Sequence, residues 1–134
     1  MTKKIEKYND EPVRFVETST VQEGVTCDVY EFVNSASKDL GIINISKGFR
    51  SPRQLIVGGE ETYQIHRKGE AILRIWKSEN AKEPMHVYHF PGDAPEVLVE
   101  KGKIMEWHAI GDMEYTEIFV PPYKEGRFKN LPQV

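Results

Sequence analysis

Residues 48–76 read GFRSPRQLIVGGEETYQIHRKGEAILRIW, and their punctuation decides the fold class. Gln54 through Val57 and Tyr63 through Ile65 are built from strand-favouring residues. Gly58-Gly59 between them supplies the positive φ that a tight hairpin turn requires. Lys68-Gly69-Glu70 makes a second turn, and Ala71–Trp76 continues as a third extended segment. No stretch here repeats apolar residues at helical spacing, so the segment reads as β structure throughout.

The same pattern extends in both directions. Upstream, Val13–Val16 is a short strand, Ser19–Gly24 a turn, Val25–Val33 an alternating strand and Leu40–Ile45 another. In the alternating strand Val25, Cys27 and Val29 share one side, and Thr26, Asp28, Tyr30 and Phe32 the other. Downstream, Met85–Phe90, Glu96–Val99, Ile104–Ile110 and Tyr115–Val120 are extended, with a hairpin turn at Gly111-Asp112. Pro121-Pro122 stops pairing, because proline has no N–H to donate. Roughly nine or ten short strands at intervals of about 8–12 residues predict an all-β sandwich or barrel. Residues 1–12 read as a polar arm, 13–123 as the barrel and 124–134 as a polar tail.

The bulk numbers set limits. A chain of 134 residues supports one domain with a substantial core. A net charge of −3 gives no basic surface for nucleic acid or anionic membrane. A single cysteine, Cys27, has no internal disulfide partner, and no apolar run approaches a membrane span or a signal peptide. A cytoplasmic protein is the expectation.

Two stretches resemble the cupin superfamily: Gly48 to Gly69, with Pro52 and Glu60-Glu61-Thr62-Tyr63, and Phe90-Pro91-Gly92-Asp93 through Lys101-Gly102, Gly111-Asp112 and Val120-Pro121-Pro122-Tyr123. The resemblance implies a jelly-roll β-barrel with an internal pocket, commonly as a homodimer. It also implies where a metal would sit. Metal-binding cupins present a His-x-His pair beginning some six residues after a glycine, then a glutamate, then a histidine three residues after a second glycine. Counted from Gly48 and Gly102, those positions hold Gln54, Ile56, Glu60 or Glu61, and Met105. Ile56 has no donor, Gln54 is a weak neutral ligand and Met105 suits soft copper, so no metal and no other cofactor is expected. In an alternative register His108 would point inward. Side-chain alternation separates the two: inward Met105 carries Trp107 with it and leaves Glu106 and His108 outside.

The pocket expected on this reading comprises Arg50, Arg53, Gln54, Ile56, Glu61, Tyr63, Met105 and Trp107. Arg50 and Arg53, with Arg74 on the third extended segment, carry the guanidinium fork that can clamp a carboxylate or phosphate. If Glu61 points inward, Tyr63 and Ile65 follow it and His66 faces out. His86 and His89 lie at odd separation, so at most one reaches the pocket. Cys27 reads as a small buried hydrophobe, and no Ser-His-Asp order, Cys-His pair or Gly-rich phosphate loop is present.

These residues support a metal-free cupin that binds a small molecule. The alternative is an enzyme, either a proton-transferring sugar epimerase or isomerase using Glu61, Tyr63 and His86 or His89, or a metal-dependent dioxygenase or isomerase. A third class is an interaction protein whose residues 1–12 add a strand to a partner.

Overall fold

A computed structural model describes residues 4–57, 61–93, 96–120 and 128–132. Gly58-Gly59, Glu60 and the Pro121-Pro122-Tyr123 stop lie outside them. The strands are β1 (Lys7–Tyr8), β2 (Glu11–Gln22), β3 (Val25–Phe32), β4 (Asp39–Ile45), β5 (Arg53–Ile56) and β6 (Glu61–Lys68). They continue with β7 (Ala71–Trp76), β8 (His86–Phe90), β9 (Glu96–Glu100), β10 (Ile104–Ala109), β11 (Met113–Val120) and β12 (Phe128–Leu131). Two curled antiparallel sheets face each other, ordered β1-β2-β3-β4-β11-β6-β9 and β12-β5-β10-β7-β8. This is a jelly-roll barrel. None of the described residues forms a helix long and apolar enough to cross a membrane.

Two turns do a different job from the one the sequence suggests. β5 and β6 belong to opposite sheets, and so do β10 and β11. β5 and β6 are therefore not a hairpin pair, and the turn at Gly111-Asp112 carries the chain across the barrel. Gly69 closes the end at which Gly111-Asp112 lies. Its φ is +89°, and a β-carbon there would stand 2.1 Å from the Asp112 carbonyl oxygen, so only glycine fits. The backbone N–H groups of Ile110 and Gly111 both donate to the Glu70 carbonyl, which fastens this turn to the crossing at Gly111.

The N-terminal part is longer and more integrated than its polarity predicts. β2 runs through Ser19 to Gln22, and the turn reduces to Glu23-Gly24. Its register slips between Phe15 and Glu17 and between Thr20 and Gln22. Such bulges break the period-two pattern by which a strand is recognised. β1 pairs with β2 in its own sheet, and Tyr8 is buried with its hydroxyl 3.2 Å from Thr116 Oγ1. β12 pairs with β5, which places part of the tail in the second sheet.

The core divides in two. Between the sheets lie Ile43, Ile45, Ile56, Leu73, Ile75, Phe90, Met105, Trp107, Met113 and Tyr115. On the outer side of the larger sheet, Tyr8, Val13, Tyr30, Phe32, Leu40 and Ile42 form a second cluster.

Candidate functional site

The sheets separate at the end bounded by β2, β3, β11, β5 and β12, leaving a cavity of about 290 Å³. The alternation of β3 turns Val25, Cys27 and Val29 into it, and that of β11 turns in Tyr115, Glu117 and Phe119. Glu17, Ser19 and Val21 come from β2, Gln54 from β5, and Phe128 and Asn130 from β12, with Ser51 and Pro52 at the approach to β5. Gln54 Nε2 donates to Asn130 Oδ1 across the β5–β12 ladder at 3.4 Å.

An aromatic column supports the floor. Tyr115 and Trp107 stack with centroids 4.4 Å apart, and Phe90 lies 5.4 Å from Trp107 on the far side. Trp107 Nε1 donates to Gln64 Oε1 at 3.0 Å, Gln64 Nε2 to Thr62 Oγ1 at 3.4 Å, and Thr62 Oγ1 to the Val99 carbonyl at 3.3 Å. Trp107, Gln64 and Thr62 are fully buried, so this chain satisfies groups that would otherwise be costly to desolvate. Burial, then the charges of Glu117 and the neighbouring Cys27, hold the Tyr115 hydroxyl well above its ordinary pKa, so it stays a neutral donor.

Cys27 is the cavity's nucleophile by element type and is held inert. Burial, followed by Glu117, Asp28 and Glu17, pushes its thiol far up. Because the thiolate is the reacting form, iodoacetamide at pH 8 is expected to modify Cys27 at least about tenfold more slowly in the native protein than in urea. Mass-spectrometric alkylation rates check this, and equal rates would refute it.

Several residues assigned to the pocket lie elsewhere. On β6 it is Thr62 and Gln64 that point into the barrel, and Glu61 and Tyr63 stand on its outer face. There the Tyr63 hydroxyl donates to Glu61 Oε1 at 2.7 Å, a bond that raises its pKa. Parity anchored on the motif's glutamate is out by one residue, and a shift of one residue reverses the whole strand. His66 consequently turns inward, stacking on Phe90 at 4.7 Å with Nε2 2.6 Å from the Gly69 carbonyl oxygen. His86 is exposed on β8 and does not line the cavity. Arg50 and Arg53 are also outside it. Arg53 is buried on the outer face of the smaller sheet, its guanidinium 4.6 Å over the Trp76 ring and its Nη1 donating to the Pro132 carbonyl at 3.0 Å. Met105 and Trp107 are in the core, with Glu106 and His108 on the opposite side of β10. Ile56 is core, and Gln54 reaches the cavity.

No protein-family model and no curated protein matches the sequence. Solved structures do match. CapF bound to an inhibitor superposes with a TM-score of 0.64 at 15% identity, over 91% of this chain and 34% of CapF. This chain thus spans about a third of CapF's length. KdgF from Halomonas sp. gives 0.61 at 10% identity, over 82% of this chain and 89% of KdgF. A Streptomyces PAC13 variant with uridine gives 0.60 at 14% identity, over 100% of this chain and 94% of PAC13. The chain has the cupin fold.

The positions that the resemblance gives to metal ligands fall on β5, on or just before β6, and on β10. Among the described residues the inner faces of these strands carry Gln54 and Ile56, Thr62 and Gln64, and Met105. Two amides, a hydroxyl, a thioether and a hydrocarbon do not provide the imidazole and carboxylate donors of catalytic zinc or iron. The described residues on these faces do not fit the metal.

Among the cavity-lining residues that the sequence did not point to are Glu17, Tyr115, Glu117, Phe128 and Asn130. One signal was available: in Met113, Tyr115, Glu117 and Phe119 an acid interrupts an otherwise apolar alternate row.

Proposed function

We propose that the protein binds a small organic molecule in the cavity between its sheets, without a catalytic metal. The cavity carries this reading. Its wall combines apolar and aromatic side chains, at Val25, Val29, Tyr115, Phe119 and Phe128, with polar ones, at Glu17, Ser19, Thr20, Ser51, Gln54, Glu117 and Asn130. Small-molecule sites enclose roughly 300–1,000 Å³ and are as a rule more apolar, so this wall favours a ligand rich in hydroxyl groups. A volume of about 290 Å³ favours a ligand of monosaccharide or nucleoside size. Carboxylates accept from hydroxyl groups, and the amides of Gln54 and Asn130 both donate and accept. Aromatic walls suit a flat ring or the apolar face of a sugar.

The PAC13 structure, a chain of nearly the same length holding uridine, supports nucleosides as the first probes. The enzyme reading built on Glu61, Tyr63 and His86 loses its constellation, because these side chains do not share the cavity.

Protein-observed NMR in the presence of EDTA tests the proposal, with uridine, other nucleosides and monosaccharides added in turn. Saturable shifts at Val29, Cys27 and Tyr115 are expected from at least one compound. Failure of the whole panel to move these signals, or movement only after a divalent metal is restored, overturns the reading.

A further inference from the structure

Arg50 and Arg53, which the sequence places in the pocket, share the outer face of the smaller sheet with Arg74. A single carboxylate gathers two of the three, Arg50 and Arg74. Glu106 on β10 is only 2% exposed, and its Oε1 lies 3.3 Å from Arg74 Nη1, directly across the ladder on β7. The same oxygen is 4.0 Å from Arg50 Nη1, which an isolated bridge between Arg50 and His108 brings alongside. Arg53 adds its field from the next row. Two guanidinium groups therefore flank one carboxylate, with a third nearby, in a chain whose overall charge is −3.

The contacts leave much of that positive charge unused. Both close approaches fall on one oxygen through one terminal nitrogen each. Neither is the parallel two-bond fork by which a guanidinium engages a carboxylate fully. The Arg50 and Arg74 side chains keep 39% and 26% of their exposure, so their remaining N–H groups open outward. Arg53 Nε and His108 Nδ1 are buried without a hydrogen-bond partner among the described residues.

We propose that this face binds a small ligand through an oxyanion, a phosphate or a carboxylate, held between Arg50 and Arg74 beside His108. Each guanidinium would offer a two-pronged edge to the anion while one nitrogen remains on Glu106. The site is separate from the cavity, on the other side of β10, so it stands or falls independently of the function proposed above.

His108 is the natural reporter. Burial, then the charges of Arg50 and Arg74, hold its pKa below the ordinary imidazole value. The other charged or titratable groups facing it are Glu106 on its own strand and His89 on β8, across Ile72. An anion that offsets the arginines raises the His108 titration midpoint.

The experiment is an NMR titration of the imidazole signals with inorganic phosphate and, separately, with succinate, at constant ionic strength. A saturable shift at His108 and an upward move of its midpoint are expected with at least one anion. Response to phosphate alone assigns the phosphoryl class and response to succinate alone the carboxylate class. Arg50→Gln and Arg74→Gln should each weaken binding by about tenfold or more, as loss of a charged hydrogen-bonding group does. Arg14→Gln, on β2, should leave it unchanged. If Arg74→Gln does not fold, Arg50→Gln decides, since Arg50 is the more exposed and the more distant from Glu106. Absence of a saturable His108 response to both anions, or an unaltered response in Arg50→Gln, overturns the proposal.

Discussion

Trp107→Ala is expected to destabilise the protein by about 3–5 kcal/mol, the range for emptying a buried tryptophan site. Trp107 is fully buried, stacked on Tyr115, packed against Phe90 and hydrogen-bonded to Gln64. Equilibrium urea unfolding reads the loss as a lower midpoint at unchanged slope. Part of it belongs to the hydrogen bond and can be isolated. Trp107→Phe keeps an aromatic ring in the column but leaves Gln64 Oε1 buried without its donor, a penalty of about 1–3 kcal/mol. Adding Gln64→Leu to Trp107→Phe should recover some of that loss, because both polar partners are then gone. A double variant no more stable than the sum of its single losses would show that the bond is not coupled as the geometry indicates.

The second large effect concerns the cavity. Val29→Trp should reduce affinity for any compound that shifts the Cys27 and Tyr115 signals by at least about a hundredfold, roughly 2.7 kcal/mol. Val29 lines the cavity from β3 but lies outside the packed core cluster. An indole there has open volume to enter, so the folding cost should stay within the roughly 1–3 kcal/mol of overpacking. Val33→Trp, at a position 54% exposed beyond the end of β3, is the matched control and should bind normally. Isothermal titration calorimetry on both variants makes the comparison. Equal affinities would place the binding site somewhere other than this cavity.

The parts of this molecule that could be read from sequence are those where alternation and burial agree. In β3, Val25, Cys27 and Val29 share one side by simple parity, and all three reach the cavity wall. In β10, the register that keeps Met105 and Trp107 together inside is the one the structure adopts. β6 breaks the agreement. Its inward residues, Thr62 and Gln64, are more polar than its outward ones, Tyr63 and Ile65. The buried side of that strand is spent on hydrogen bonds to Trp107 and Val99. A hydropathy pattern therefore points the wrong way, and motif counting from Glu61 repeats the error.

The cavity's other wall was hidden for a different reason. Glu17, Ser19 and Val21 lie on a strand whose bulges erase its period, and Phe128 and Asn130 lie in a polar tail. No local signal announces that either will fold across the barrel mouth. The arginines illustrate a third limit. Arg50 and Arg53 flank Pro52 where a pocket entrance is expected, but Arg50 faces Glu106 and Arg53 faces Trp76 and the Pro132 carbonyl, all distant in sequence. Only the assembled sheet brings that carboxylate to Arg74 and Arg50.

The measurement that bears most directly on a metal-free cavity is the metal stoichiometry of natively purified protein by inductively coupled plasma mass spectrometry, before and after incubation with iron, manganese and zinc salts. With Gln54, Ile56 and Met105 at three of the positions the resemblance gives to metal ligands, the expected result is substoichiometric metal of every kind, unchanged by incubation and dialysis. About one equivalent per chain of iron, manganese, nickel, copper or zinc, retained through dialysis as a protein-held catalytic ion is, would contradict the account.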